Sequence, residues 1–189
     1  MKERGMIFNG EMVRAILDGR KTQTRRIVNS STDNSLRLRE QYPHKHYNIN
    51  CPFGQPGDRI WVRETWARYN IDQDGHDMAY RATTPVDWPE GGRWRPSIHM
   101  PRWASRILLE ITDVRVERLN GISQEDAKAE GMELTGWRPT YSDPDNGGEV
   151  WTPYDNFAQL WESIYGEESW KSNPWVWVIE FKRIEGGTA

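Results

Sequence analysis

Alternating apolar and polar positions predict the strands of this chain. Residues 59–66 follow a Pro-Gly-Asp turn signal and place Ile60, Val62 and Glu64 on one face. Residues 105–119 are rich in Ile, Leu and Val, so they form the best-supported predicted strand. Three further segments are predicted as strands, at residues 24–28, 78–82 and 174–184.

A helical spacing of apolar residues occurs between these strands. Residues 10–19 predict a short helix that stops at Gly19. Ser123 is predicted to cap a second helix that ends at Gly131, and residues 154–165 predict an amphipathic third helix.

The remaining segments are polar and rich in Pro, Gly, Ser or Asn, which is typical of loops. They predict long loop insertions near residues 29–55, 83–96 and 135–152. Several strands with a few short flanking helices indicate the α+β class, as a mixed β-barrel rather than a layered α/β fold. Because the chain has 189 residues, a single domain over residues 1–189 is expected.

Composition narrows the class of protein. The 25 basic and 28 acidic residues give a net charge of −3, which does not indicate tight non-specific DNA binding, although basic residues crowd positions 14–26. The single cysteine excludes an internal disulfide and indicates a reducing compartment. No apolar run follows the N-terminal charges or approaches bilayer length, so a cytoplasmic protein without a membrane partner is expected.

A basic motif directly follows the first predicted helix: Gly19-Arg20-Lys21-Thr22-Gln23-Thr24-Arg25-Arg26. Three further motifs follow it in order, at residues 56–66, 126–132 and 177–181. Together these four motifs resemble the ASCH family of PUA-like proteins, in particular longer members of the kind carried by phages and prophages. The resemblance implies a PUA-like barrel with a cleft and a role in RNA binding.

One small bacterial branch of that family consists of amidohydrolases that remove the acetyl group from N4-acetylcytidine. Its members are similar in the pattern Gly-Arg-Lys-Thr-x-Thr-x-Arg and carry a glutamate in the segment that matches residues 129–132. The resemblance therefore implies Lys21, Thr24 and Glu130 as the catalytic residues. This chain is longer than those enzymes by its three insertions.

Amide hydrolysis needs a nucleophile, a base and an acid for the leaving amine. Thr24 is the predicted nucleophile and Lys21 its base, provided that burial or the neighbouring arginines lower the pKa of the lysine. Glu130 is predicted to protonate the leaving amine or to orient the pair. No step calls for a metal or cofactor, so none is expected. Alternatively, Lys21 belongs to a solvated helix end, Thr24 is a strand residue and Glu130 is a surface residue.

Other residues are predicted to contact the substrate. Arg26 can hold an oxyanion or a substrate carbonyl, and Trp66 or Trp103 can stack on a base. The segment 97–103 is either a rigid corner or a cleft wall, in which His99 contacts a base and Arg102 a phosphate. The full predicted substrate-binding set is Arg20, Arg26, Glu64, Trp66, His99, Arg102 and Trp103.

The sequence leaves three functions open. The first is a metal-independent amidohydrolase acting on N4-acetylcytidine or a related N4-acylated cytidine, the second is a non-catalytic RNA-binding module, and the third is a ribonuclease. In each case the partner is RNA or a modified nucleoside. Glu130 separates the first two hypotheses, because a carboxylate beside Lys21 and Thr24 favours the enzyme and one turned to solvent favours the RNA-binding module.

A zinc site is not expected either, because the spacing of His44, His46 and Cys51 matches no standard zinc site.

Overall fold

The computed structural model describes residues 1–68, 78–132 and 152–184. Its strands are β1 (Glu3–Ile7), β2 (Gln23–Ile27), β3 (Arg59–Arg63), β4 (Trp66–Arg68), β5 (Met78–Tyr80), β6 (Leu108–Arg118) and β7 (Trp175–Ile184). Its α-helices are α1 (Gly10–Leu17), α2 (Ser30–Gln41), α3 (Gln124–Ala129), α4 (Pro153–Tyr165) and α5 (Glu167–Lys171). None of these helices has the length and apolar character needed to cross a membrane.

Five strands form one mixed sheet in the order β1-β3-β6-β7-β2, while β4 and β5 form a separate antiparallel pair. Only β1 and β3 run parallel within the five-stranded sheet. The predicted strands and helices are all present, with ends shifted by a few residues. This agreement confirms the α+β class.

The segment 29–55 is not entirely a loop, as the sequence predicted, because it contains the 12-residue helix α2. The Asn29 side chain caps this helix by accepting a hydrogen bond from the Thr32 backbone N–H (2.8 Å). An ion pair between Arg37 and Asp33, four residues apart, supports it further (2.7 Å). Leu36 is the one buried side chain in α2, so the helix has almost no apolar face and hydrophobic periodicity could not reveal it.

The segment 83–96 lacks regular secondary structure after Thr83. Between the 3₁₀ turn Arg81–Thr83 and residue 96, the chain forms no helix or ladder strand, and Trp88 stacks on Trp94 with ring centroids 4.1 Å apart. The prediction at 135–152 lies outside the described residues except for Thr152, which caps α4.

The predicted barrel is not closed by backbone pairing within the described residues, because β1 and β2 lie at opposite ends of the strand order. A side chain spans the gap instead. The Arg26 guanidinium donates to the Ile7 carbonyl (2.9 Å) and lies over the Phe8 ring (5.4 Å to its centroid). The sheet is therefore curled so that its two edge strands are joined by one arginine rather than by a ladder of hydrogen bonds.

The two faces of the sheet carry different cores, and this difference sets the direction of the side chains on β2. Ile179 belongs to the core packed against α1, whereas Val178 belongs to the core beneath α3 and α4. Thr24 pairs with Ile179 and Arg25 with Val178. Since paired residues share a face of an antiparallel sheet, Thr24 lies on the α1 face and Arg25 on the α3 face.

Candidate active site around Lys21 and Glu130

Backbone hydrogen bonds fix Lys21 between α1 and α3. Gly19, with φ of 76°, turns the chain after α1, and the backbone N–H of Lys21 then donates to the Ala15 carbonyl (2.9 Å). The next residue, Thr22, donates to the carbonyl of Ala129 at the end of α3 (2.8 Å). A β-bridge between Lys21 and Glu130 completes this junction.

Gly131 allows α3 to approach this closely. It adopts a φ of +94°, which other residues rarely adopt, directly after Glu130. A Cβ atom at this position would lie 3.0 Å from the Cβ of Ala15 and 3.3 Å from the Cβ of Lys21. The glycine therefore lets the end of α3 approach Lys21 closely, and any other residue here would be strained and would push against Ala15 and Lys21.

The side chains of Lys21 and Glu130 form a buried ion pair. Lys21 Nζ donates to Glu130 Oε2 (2.6 Å) and to the carbonyl oxygen of the same residue (3.1 Å). The other carboxylate oxygen, Oε1, accepts from Arg25 (3.1 Å). The lysine side chain is 0% exposed and the glutamate side chain 3%. Glu130 is thus not turned to solvent, and both of its carboxylate oxygens are held by cations.

Burial lowers the pKa of Lys21 below its ordinary value of 10.5. The charge and hydrogen bond of Glu130 oppose this shift, while the positive charges of Arg26 and Arg25 add to it. The neutral amine, which is the form that can accept a proton, is therefore easier to reach here than in an exposed lysine.

Further charges surround the pair on the α3 face. Arg25 contacts Asp126 and Glu117, each at 3.3 Å, and Arg115 contacts Asp126 at 3.0 Å. Partial burial raises the pKa of Asp126, but the charge of Arg25 and other nearby contacts outweigh it, so the pKa lies below its usual range. Arg25 therefore connects the Glu130 carboxylate to carboxylates on α3 and β6, and it restricts the rotation of the glutamate.

Thr24 is buried but stands apart from this network. It lies on the opposite face of β2 from Arg25, as the strand pairing shows. Within the described part of the chain, the Lys21 amine is hydrogen-bonded to Glu130, and no hydrogen bond links Thr24 to either residue. The structure thus brings Lys21 and Glu130 together, whereas Thr24 lies on the face of β2 opposite to Arg25, which holds Glu130.

Two cavities adjoin α1 and give access to this region. The first has a volume of about 270 Å³ and is lined by Glu130, Gly131 and Arg20 together with residues of α1. The second, of about 520 Å³, is lined by Glu64 and Arg81 among others. Both are lined by Asn9, Glu11 and Arg14, so they lie side by side along the first half of α1.

The predicted substrate-binding residues fall into different surroundings. Arg20 lines the first cavity, where it donates to the Gly131 carbonyl (3.2 Å). Glu64 lines the second cavity but is buried and forms two hydrogen bonds with Arg106 (2.9 and 3.0 Å). Arg26 is engaged in joining β1 to β2.

The four predicted residues at 66–103 lie around the short strand β4 and the turns that precede β6. Trp66 is 1% exposed, whereas Trp103 is 57% exposed, so only the second indole presents a free surface. His99 is exposed on a 3₁₀ turn, and Arg102 pairs with Glu3 (3.0 Å). No group of three or more His, Cys, Asp or Glu residues suited to a metal ion occurs among the described residues.

Sequence reasoning missed Arg25, which occupies a variable position of the basic motif. The alternation along β2 gives the signal that could have found it. Gln23 and Arg25 share a face, and both are anchored to α3, Gln23 through the Asp126 carbonyl (2.8 Å) and Arg25 through Glu130. The ion pair between Asp126 and Arg115 could not be predicted from the sequence either, because it depends on how α3 lies across β6.

Titration of the Lys21 amine is expected to show a pKa below 10.5 in the folded protein. NMR of side-chain nitrogen and ε-carbon resonances measures it, with the Lys21→Met variant assigning the signal. Glu130→Gln removes the two influences that raise the pKa of Lys21, so its pKa is expected to fall further. A Lys21 amine that titrates at or above 10.5 in the wild type would contradict the role of burial.

The same shift predicts a pH dependence of stability. Between the lowered pKa of folded Lys21 and 10.5, the unfolded chain binds more protons at this residue than the folded chain does. The contribution of Lys21 to the free energy of unfolding is therefore expected to rise with pH across that window. Urea unfolding at several pH values, compared with Lys21→Met, isolates this contribution.

Comparisons with known proteins give matches to solved structures only. No family model and no curated protein matches the sequence. The chain aligns over 97% of its length with a DUF984 protein of Enterococcus faecalis V583 (10% identity, 81% of that chain, TM-score 0.44). It aligns over 97% of its length with the hypothetical protein PH0355 (17% identity, 100% of that chain, TM-score 0.42).

A third similar structure is a crystal structure from Lactobacillus crispatus JV V101. The chain aligns with it over 96% of its own length and 79% of the other chain, at 12% identity and a TM-score of 0.42. That structure is an ASCH domain, the family that the sequence motifs of this chain resemble.

Proposed function

We propose that this chain is an ASCH-type, PUA-like amidohydrolase that removes the acyl group from N4-acetylcytidine or a related N4-acylated cytidine without a metal ion. The observation that carries the proposal is the buried contact between Lys21 and Glu130, which lie 109 residues apart in the sequence. The choice of substrate rests on the resemblance of the basic motif to the amidohydrolase branch.

The pair can exist as an ion pair or as a neutral amine and a carboxylic acid. Burial penalises the charged form of Lys21 and so lowers the pKa of its amine. In the neutral form, Lys21 offers a lone pair and Glu130 offers a proton. One buried contact thus supplies both the base and the acid that amide cleavage needs.

In the proposed first step, the Thr24 hydroxyl attacks the acyl carbon and its proton passes to the Lys21 amine. The bond between the acyl carbon and N4 then breaks, and N4 takes the proton of the Glu130 carboxylic acid. Cytidine leaves, and the products are acyl-Thr24, a lysine ammonium and a glutamate carboxylate. This step requires Thr24 to move into contact with Lys21.

In the second step, water attacks the acyl-threonine. The Glu130 carboxylate accepts a proton from the water, and the Lys21 ammonium returns a proton to the Thr24 oxygen as the ester bond breaks. The carboxylic acid product leaves and the neutral pair is restored. Every proton taken in one half of the cycle is therefore given back in the other.

The first cavity supports the role of Glu130, which is one of its lining residues. Its volume of about 270 Å³ lies just below the range of ~300–1,000 Å³ that is usual for small-molecule sites. Glu130 lines it, and Lys21 lies behind the carboxylate, which accounts for the complete burial of the amine. The exposed Arg20 at the same cavity is suited to a polar group of the nucleoside.

Incubation of the purified protein with N4-acetylcytidine, in buffer containing a chelator, tests the proposal. We expect cytidine and acetate to be released in equal amounts, and chromatography measures both products. N4-propionyl and N4-benzoyl cytidine in parallel reactions define the acyl group that the cavity accepts. Absence of release from every acylated cytidine, with a folded protein, would reject the hydrolase.

An RNA-binding module without catalysis is the second candidate. The exposed ring of Trp103 favours it, because aromatic rings at protein surfaces are platforms for nucleic-acid bases. RNA binding that weakens steeply with salt, together with no turnover, would select this alternative.

A further inference from the structure

The two carboxylate oxygens of Glu130 have different partners. Arg25 donates to Oε1 (3.1 Å), whereas Lys21 Nζ donates to Oε2 (2.6 Å). The Arg25 side chain is 1% exposed, and its guanidinium lies 5.8 Å from the ring centroid of Phe157 on α4, so it is enclosed on the α3 face of the sheet. An oxygen that accepts from a guanidinium is the poorer place for a proton. A carboxylic acid proton on Glu130 therefore belongs on Oε2, beside Lys21.

The position of that proton matters for amide cleavage. The attacking oxygen and the leaving nitrogen are bonded to the same acyl carbon, so the base and the acid that serve them must be neighbouring atoms. Lys21 Nζ and Glu130 Oε2 are neighbours at 2.6 Å, while Oε1 is held by Arg25. Because Arg25 is almost fully buried, it acts on a substrate through Glu130 and not by direct contact.

Two further carboxylates share Arg25 with Glu130. Glu117 on β6 and Asp126 on α3 each lie 3.3 Å from its Nη2 atom. Both also pair with Arg115, so they keep a cation when Arg25 is replaced. Burial is the main cause of the lowered pKa of Lys21, and the charge of Arg25 adds to it. Asp126 and Glu117 therefore moderate the positive charge that Arg25 presents to the buried pair.

The other charges near the pair are either balanced or engaged elsewhere. Two acids and two bases line the first cavity with Glu130, namely Glu11, Asp18, Arg14 and Arg20. Three of these four are exposed, so water and salt screen them. Arg26 acts on Lys21 with the same sign as Arg25 but is used to join β1 to β2, and Glu180 on β7 is paired with Arg115. Arg25 is thus the cation in direct contact with Glu130 on the α3 face.

We propose that Arg25 is a positioning residue of the amidohydrolase site: it confines the transferable proton to the Glu130 oxygen beside Lys21 and, together with Asp126 and Glu117, sets the pH range of turnover. The inference rests on the proposed function and deepens it. Position 25 is a variable position of the basic motif, so the family resemblance assigns it no role.

Profiles of kcat against pH with N4-acetylcytidine test the electrostatic part. Arg25→Met removes a positive charge, so the pair holds its protons up to higher pH, and both limbs of the profile are expected to move up by about 1 pH unit. Asp126→Asn removes a negative charge and should move both limbs to lower pH. A loss of structure alone cannot shift the profile in opposite directions. Arg37→Met and Asp33→Asn, at an ion pair on α2, are the matched controls and should leave the profile unchanged.

The conservative variant tests the positioning part. At its own pH optimum, Arg25→Met should lower kcat about 10-fold with little change in KM, because the Glu130 proton is then shared between two oxygens. Arg25→Lys keeps the charge and one donor, so it should restore the wild-type pH profile and part of kcat. An Arg25→Lys variant with the profile of Arg25→Met overturns the inference. Asp126→Asn and Arg25→Lys keep the test decisive if Arg25→Met does not fold.

The outcomes separate this inference from the proposed function. Wild-type turnover with profiles that stay in place, or that move in the same direction in Arg25→Met and Asp126→Asn, rejects the role of Arg25 and keeps the hydrolase. Absence of turnover by the folded wild type rejects the hydrolase and, with it, the positioning role. NMR titration of the Lys21 amine needs no turnover. Its pKa is expected to be higher in Arg25→Met than in the wild type and lower in Asp126→Asn, and an unchanged pKa in both variants overturns the electrostatic part.

Discussion

Replacement of Lys21 by methionine is expected to reduce cytidine release from N4-acetylcytidine by about 10²- to 10⁴-fold, the usual contribution of a general base. Methionine keeps the length of the side chain but cannot take the proton of the attacking hydroxyl. The fold should survive, because the Glu130 carboxylate stays paired with Arg25 at 3.1 Å. Initial rates at saturating substrate measure the loss of turnover, and a thermal melt of the same preparation shows whether the variant is folded.

Lys128→Met is the matched control for this experiment. Lys128 lies on α3, close in sequence to Glu130, but its side chain is exposed. Its replacement changes the net charge by the same amount and should leave the rate unchanged. Full turnover by Lys21→Met would remove Lys21 from the mechanism, whatever the effect of other variants.

The largest effect on stability is expected from Glu130→Leu. This change leaves the ammonium of Lys21 and the guanidinium of Arg25 buried without the carboxylate that both contact. Removal of one partner from a buried ion pair costs about 3–5 kcal/mol, because the remaining charge is uncompensated. Urea unfolding should show this loss near neutral pH and a smaller loss at high pH, where Lys21 gives up its proton.

Two comparisons sharpen that prediction. Glu125→Leu, at an exposed position in the first turn of α3, should change the free energy of unfolding far less. The double variant Lys21→Met/Glu130→Leu should be more stable than Glu130→Leu alone, since it removes one of the two stranded cations. If Glu130→Leu has the same free energy of unfolding as the wild type, the ion pairs of Glu130 with Lys21 and Arg25 do not stabilise the fold.

Local signals predicted much of the fold. The N-cap Ser123 accepts a hydrogen bond from the Asp126 N–H, and Gly19 and Gly131 both adopt positive φ at helix ends, so short-range rules were sufficient there. Ile60, Val62 and Glu64 are buried on one face, as their alternation predicted. Helix α2 was not predicted, because it is supported by an N-cap and an ion pair rather than by an apolar face.

The candidate site shows the limit of sequence reasoning more clearly. Lys21 and Glu130 were singled out together only through a family resemblance, since no spacing rule connects residues 109 positions apart. The role of Arg25 depends on which face of β2 meets α3, and on that face Arg25 also lies 5.8 Å from the ring centroid of Phe157 on α4. Charge partners that come from three separate elements are brought together by the fold, so no local sequence pattern predicts them.

The contact of Arg26 with Ile7 and Phe8 also bears on how this protein is expected to aggregate. Strands β1 and β2 are the two edges of the sheet, and each offers unpaired backbone groups to another chain. The arginine holds these edges against each other. Its loss would free both edges at once, so variants at Arg26 should first fail by self-association during expression, before any effect on substrate binding can be measured.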